Sequence, residues 1–436
     1  MRILGFSRYL CHHGWTPRVL STTPDSAYPP QGEDPGLSAL LPESLDVDRV
    51  PHANPLQRLI RLRDQLRHFA RPQQEYLHSN DELRKQSGTG QTGRISTLKH
   101  FILDWAFSFP DPQCFWFRPA VSCLSRLHKK EFPDVVFTTY PPGSGLLVGR
   151  TLAHRFRVPF VADLRDPWVG IGRLDHISSS SLVARVRRLE RLVFADAARV
   201  IMNTEELRLK YSAIYPEHAC KFVTIPNGFD GEVIHSAINS AHGPHDPWLE
   251  LSHFGTVYGR RSPFPLFKAL SELLEENQVG KDRLRLRFVG KWDVLDHDCE
   301  AIACHLEKQG ILKREPPLPR DICLRQMAQA QALLVLQPSY PLQIPAKLYE
   351  YIGSGRPVVV IGGEGATANV VQRHGLGVCC PNQVSAIKTL LRRLATTEIR
   401  LERPSTTNKA PFDYRNLTGE LAKVLDDVCL EDARLG

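Results

Sequence analysis

Lys347 and Glu350 stand three residues apart in the run IPAKLYEYIGSGRPVVVIG (344–362). That spacing puts an ammonium and a carboxylate on one face of a helix, which Pro345 suits at its first turn and Gly353 and Gly355 end before the next apolar run. A carboxylate held there can accept both hydroxyls of a ribose, while the lysine and the free N–H groups of the helix start can meet a diphosphate. The same spacing also describes an ordinary surface pair. A second charged group follows the apolar run VPFVADL, where ADLRDPWVG sets Asp163, Arg165 and Asp166 beside Trp168. Charges placed straight after a buried strand need partners. An internal Asp163–Arg165 pair would supply them, and so would a polar ligand.

Other chemistries find less support. A glycosidase needs a pair of carboxylates across the scissile bond, and the sequence singles out none. No GxGxxG opens the first helix, which disfavours a nicotinamide enzyme and leaves no cofactor to expect. The ten cysteines form no CxxC and have no histidine at finger spacing, so they read as reduced thiols and no metal site is expected. A net charge of +8 spread over 436 residues favours phosphate-bearing ligands or an anionic membrane surface, and is far too dilute for a nucleic-acid binder. No stretch reaches the ~18 to 20 apolar residues that cross a bilayer, and the start MRILGFSRYLCHHGW lacks the apolar core of a signal peptide. A cytoplasmic protein is expected.

The elements that must position these residues alternate. PRVLSTTP (17–24), PDVVFTTYPP (133–142), VPFVADLRDP (158–167) and ARVIMNT (198–204) are short apolar runs of the length of buried parallel strands. GSGLLVGRTLAHRFR and the Arg-rich stretch Leu182 to Ala197 read as crossover helices, and FVTIPNGFD (222–230) closes the first half. SAINSAHGPHDPW (236–248) loses periodicity and reads as a linker. The alternation then restarts with LSHFGTV, LRLRFVG, QALLVLQP and PVVVIGG as strands and helices between them. The expectation is α/β: two Rossmann-like parallel-sheet domains facing a central cleft, residues 1–235 and 249–412, with a last helix over 413–436. Between the first strands, NPLQRLIRLRDQLRHFAR (54–71) reads as a basic amphipathic helix. It suits either packing on its own domain or peripheral contact with an anionic membrane on the inner face.

PAKLYEYIGSGRPVV, with IPNGFD and DLRDPW before it, resembles the retaining glycosyltransferases of family 4, which have the GT-B fold. The similarity is nearest the bacterial polysaccharide and lipopolysaccharide branch that carries a DxRDxW segment. The resemblance implies sugar transfer with retention, independent of metal, from a UDP- or GDP-sugar to a glycan or lipid-linked acceptor in cell-surface polysaccharide synthesis. Glu350 matches the glutamate that holds the donor ribose; Leu342 stands where the family's other signature glutamate would fall, so a variant donor pocket is expected. HFGTVYGRRS resembles the loop that meets the donor diphosphate, with Gly255 and Thr256 admitting the backbone and Arg260 and Arg261 supplying charge. Gly290 and Lys291 of FVGKW border the nucleotide, and Gly365, Ala366 and Thr367 match a helix start near donor sugar and phosphate. On the acceptor side the resemblance selects Arg165 and Asp166 near the transferred sugar, Asp163 and Trp168 beside them, and Tyr140, Gly143 and Ser144 of TTYPPGSG.

The amino terminus departs from the family. RILGFSRYLCHHGWTPRVLST resembles its first helix and second strand directly, and MRIL lies too close to PRVL to leave room for a strand, a loop and a helix. The first central strand and its phosphate loop are therefore expected to be missing from the N-terminal domain. A second hypothesis follows, a truncated, noncatalytic GT-B protein that binds a nucleotide or a protein partner.

Overall fold

The computed structural model describes residues 1–26, 35–52, 109–125, 127, 131–169, 180–238, 248–294 and 296–435. The expected basic helix 54–71 lies outside them, as does most of the expected linker. The chain divides into two compact units, Thr16–Val200 with Asp427–Gly436, and Met1–Trp15 with Ile201–Asp426.

In the first unit β1 (Arg18–Thr22) pairs in parallel with β2 (Asp46–Val50), and β3 (Val136–Tyr140) pairs in parallel with β4 (Phe160–Leu164). Every residue of β4 is buried, as its unbroken apolar run predicts for a strand covered on both faces. The crossover helix Gly143–Phe156 packs Val148, Leu152 and Phe156 against Trp116 and Ala120, and ends where Arg157 turns left-handed. β5 (Arg199–Met202) begins at the end of this unit, and β6 (Phe222–Thr224) belongs to the other. β1 and β2 form a separate two-stranded sheet.

MRIL is helical, as the sequence suggests: a helix spans Arg2–Tyr9. It is fastened to the IPNGFD turn by buried charge. The Arg2 guanidinium donates to the carbonyls of Ile225 (2.9 Å) and Pro226 (2.6 Å) and to Asn227 Oδ1 (3.3 Å). Arg8 pairs with Asp230, which also accepts from the Tyr9 hydroxyl at 3.0 Å.

The second unit is built on six parallel strands: β7 (Leu249–Phe254), β9 (Leu284–Val289), β11 (Leu312–Glu315), β12 (Ala332–Gln337), β13 (Val358–Gly362) and β14 (Gly377–Cys380). A two-residue pair, β8 (Val257–Tyr258) with β10 (Trp292–Asp293), lies apart. The spatial order β11-β9-β7-β12-β13-β14 is doubly wound, and the direction of winding reverses between β7 and β12. Side chains alternate across the sheet. Leu334, Leu336, Val359 and Ile361 face a core closed by the helices Phe264–Glu275, His297–Lys308 and Val384–Ala395. Leu333, Val335, Val358 and Val360 face a second core under the helices Arg320–Gln329, Ala346–Ser354 and Ala366–Arg373. Each such side chain contributes about 1.5–3 kcal/mol by burial, which makes this sheet a rigid frame for what lies at its ends.

Candidate donor site

In an open parallel sheet, ligands bind beyond the carboxyl ends of the strands at the point where winding reverses. Here that point lies between the ends of β7 and β12. Just past β7, Gly255 has φ +118°, and a Cβ on it would lie 2.9 Å from the Lys347 ammonium. Gly290, past β9, has φ +147° and would drive a Cβ to 2.5 Å from the Gly255 carbonyl oxygen. Only glycine serves at either place, because side chains would fill the space and the positive φ would strain them.

Lys347 occupies the first turn of the helix Ala346–Ser354, whose N-cap is Pro345, and its Nζ donates to His253 Nε2 at 2.9 Å. His253, near the end of β7, is 2% exposed, and its Nδ1 lies 2.9 Å from the Leu334 carbonyl oxygen. A carbonyl only accepts, so Nδ1 carries the proton and Nε2 offers its lone pair to the lysine. Burial, then the nearby charges of Lys347 and Arg261, hold the imidazole well below its ordinary range. Lys347 is itself pushed down to about 7 by burial and by Arg261, against the attraction of Glu350.

Arg261 ends the short turn Gly259–Arg261, with its guanidinium 5.3 Å from the Tyr258 ring centre and 5.6 Å from that of Tyr340. Its Nε is buried without a partner. Two cations are thus brought together at the switch point, an arrangement suited to an anion. Arg260 lies in the same turn, but its side chain is outside the described ones; Thr256 and Lys291 are exposed at the strand ends. Glu350 is held by Arg320 at 2.8 Å, both partly exposed, which leaves its second oxygen for another partner.

A pocket of about 220 Å³ opens beside this cluster, lined among others by Gln337, Tyr340, Glu364, Gly365 and Thr367. Gln337 is nearly buried, and its Oε1 has no partner. Gly365 caps the helix Ala366–Arg373; the Ala366 N–H goes to the Pro341 carbonyl at 2.7 Å and the Thr367 hydroxyl to that of Gln343 at 3.1 Å. The carbonyl of Leu342, the residue at the departed glutamate position, accepts from the Thr204 hydroxyl at 2.7 Å.

The residues that the resemblance assigns to the acceptor form their own arrangement in the other unit. Arg165 donates to the carbonyls of Tyr140 (3.2 Å) and Pro141 (2.8 Å), and Asp163, fully buried, accepts from Thr139 Oγ1 at 2.8 Å. The Trp168 ring lies against Tyr140, 5.5 Å between centres, and closes over Gly143, where a Cβ would fall 2.6 Å from the indole. Ser144 gives both its N–H and its hydroxyl to Asp111, at 2.7 and 2.8 Å. Burial pushes that carboxyl up. Asp166 is half-buried at the end of the same segment.

His253, Gln337, Tyr340, Arg320 and Asp111 are additions that sequence reasoning passed over. Gln337 had one available signal, a polar residue at the end of an otherwise apolar strand, whereas His253 follows Glu250 and Ser252 in a half-polar strand that does not single it out. Among the described residues no group of three His, Cys, Asp or Glu side chains is placed to hold a metal, and no helix is long and apolar enough to cross a membrane.

The sequence matches the glycosyl transferase 4-like domain over residues 1–228, more than half of the chain, and the protein belongs to that family of glycosyltransferases. No curated protein matches it. Among solved structures it is similar to sucrose-phosphate synthase from Thermosynechococcus elongatus, at 14% identity over 97% of this chain and 91% of that one, with a TM-score of 0.57. It is also similar to Anabaena Alr3699/HepE in complex with UDP and glucose (15%, 94% and 99%, TM-score 0.53) and to a glycosyltransferase from Rickettsia africae (11%, 94% and 98%, TM-score 0.53). At these identities the likeness concerns the fold, which is that of the GT-B glycosyltransferases.

Proposed function

We propose that this glycosyltransferase takes its sugar from a UDP- or GDP-sugar and passes it, with retention, to a glycan or lipid-linked acceptor in cell-surface polysaccharide assembly. One observation carries the donor half: Lys347, at the switch point of the sheet, feels the charge of Arg261, and its hydrogen-bond partner is a neutral imidazole. Sugar transfer from a nucleoside diphosphate needs the departing diphosphate stabilised as charge builds on it, and preorganised cations do this without reorganising at the moment of reaction. Lys347, Arg261 and Arg260 take that role, with Gly255, Thr256, Gly290 and Lys291 shaping the approach. Glu350, oriented by Arg320, takes the ribose hydroxyls through its free oxygen. Gly365, Ala366 and Thr367, at the pocket with Gln337, lie toward the sugar.

On the acceptor side the proposal assigns Arg165 and Asp166 to the sugar end, and Asp163, Trp168, Tyr140, Gly143 and Ser144 to the framework around it. The bonds from Arg165 to the Tyr140 and Pro141 carbonyls make it a clamp on that loop, so its influence on transfer runs through loop position. A cytoplasmic location with peripheral contact to an anionic membrane completes the reading. Retention follows the family description of same-face attack, in which the protein supplies charge and orientation and no settled nucleophile.

The test is nucleotide release from a panel of UDP- and GDP-sugars by the full chain and by Glu350→Ala. Loss of a ribose contact is expected to lower kcat/KM by roughly tenfold to a hundredfold. Unchanged turnover in the variant would overturn the donor-site assignment. Nucleotide binding without any turnover would favour the noncatalytic alternative.

A further inference from the structure

A buried lysine is normally paired with a carboxylate, which holds it in place and cancels its charge. Lys347 is held differently. Its ammonium donates to His253 Nε2, and the charged or titratable groups that face it are His253 on β7, Arg261 from the turn after β8, and Glu350 on its own helix, the last already engaged by Arg320. His253 has no freedom in this arrangement: Nδ1–H is committed to the Leu334 carbonyl, and the ring lies 5.2 Å from that of Phe288 in the closed interior of the sheet. The tautomer is fixed by the backbone of the neighbouring strand.

We infer that His253 is a positioning residue, locked as the Nδ1–H tautomer by Leu334, that aims the Lys347 ammonium past Gly255 toward the donor diphosphate while leaving its charge uncancelled. A carboxylate in the same place would compete with the diphosphate for the lysine, whereas a neutral lone pair fixes geometry and leaves the attraction available. The inference rests on the donor-site reading above for its ligand. The His253–Lys347 relation itself can be measured without one.

Two substitutions separate the ring's two bonds. His253→Asn retains a donor for the Leu334 carbonyl and removes the acceptor for Lys347; His253→Gln puts an amide oxygen near the Nε2 position and restores it. The first measurement, on the full chain without ligand, is the pH dependence of Lys347 acetylation in competitive labelling with acetic anhydride, read by mass spectrometry. The second is the affinity for UDP, GDP and pyrophosphate at pH 7, with uridine as a ligand that lacks the phosphates. A hydrogen bond to a charged group is worth about a tenfold change in equilibrium, so His253→Asn is expected to lower the labelling midpoint by about one pH unit. It is also expected to weaken the phosphate ligands by about tenfold and to leave uridine unchanged. His253→Gln is expected to return both to within about threefold of the original protein.

An unshifted midpoint in His253→Asn, or a His253→Gln protein as impaired as His253→Asn at an unaltered unfolding temperature, overturns the inference. Should His253→Asn not fold, His253→Gln decides alone: a midpoint near the original supports the inference, and a fall of about one unit refutes it. If the midpoints move as expected while the original protein binds none of the phosphate ligands, the donor-site reading falls and the positioning of Lys347 by His253 stands.

Discussion

Raising the pH from 6 to 9 is expected to weaken diphosphate binding through a single side chain. Burial and the charge of Arg261 bring Lys347 from 10.5 down to about 7, which corresponds to roughly 4–5 kcal/mol of lost preference for the ammonium. An arriving diphosphate restores that preference, so binding draws a proton onto the lysine wherever the free protein has released it. With a midpoint of about 7, about half the lysines are protonated at pH 7, about one in eleven at pH 8 and about one in a hundred at pH 9. The Kd for UDP should therefore rise about fivefold from pH 7 to 8 and about fiftyfold by pH 9. Below about pH 6 the terminal phosphate of the ligand begins to gain its own proton, so affinity peaks between roughly pH 6 and 7. Calorimetric titration in two buffers of different ionisation enthalpy reads both quantities at once, with uptake of about half a proton at pH 7 and about nine tenths at pH 8. A Kd that stays flat from pH 7 to 9, or the absence of proton uptake, would refute the reasoning.

The same lysine acts on stability in the opposite sense. Between about pH 7 and 10.5 the unfolded chain holds the proton that the folded chain has lost, so this group's contribution makes the free protein more stable as pH rises across that window. Lys347→Met is accordingly expected to raise the unfolding temperature at pH 7 while removing the pH dependence of UDP binding along with most of the affinity. Such a pairing of gained stability with lost binding is what a site held together against its own repulsion should give.

Other expectations follow from single contacts. Gly255→Ala places a methyl 2.9 Å from the Lys347 ammonium at a φ of +118°, and should cost about 1–3 kcal/mol in denaturant unfolding and more than about tenfold in UDP affinity. Arg320→Ala frees the Glu350 carboxylate to swing, and steady-state kinetics should register a rise in donor KM of about threefold to tenfold with kcat little changed. Arg2→Ala leaves two carbonyls and an amide oxygen of the IPNG turn without their donor and should lower stability by about 2–4 kcal/mol in thermal unfolding. Thr204→Val removes both the cap of the helix Glu205–Ile214 and the bond to the Leu342 carbonyl, for a loss of about 1–2 kcal/mol by the same measurement.

In the six-stranded sheet β12 and β13 are legible as apolar runs buried on both faces, and β7 and β9 by apolar residues recurring between polar ones, so the reading LSHFGTV, LRLRFVG, QALLVLQP and PVVVIGG falls on β7, β9, β12 and β13. β11 and β14 escape it: three of the four residues of LKRE are charged and GVCC is short, and each takes a strand's form from pairing with β9 or β13 rather than from its own composition. The site divides along the same line. Spacing along one helix exposes Lys347 and Glu350, since three residues apart on a helix means neighbours in space. It cannot expose His253, which meets Lys347 across a separation of 94 residues. Nor can it show that Arg320 rather than Lys347 holds Glu350, or that two tyrosine rings far apart in the chain flank Arg261. These contacts are created by the winding of the sheet, which brings the end of β7 beside that of β12 and carries the following helix back across both. The chemistry of the cluster comes from that convergence: a lysine alone on a helix start would titrate near its ordinary value, and burial, with the charge of Arg261 beside it, is what draws its proton into the range where a ligand can return it.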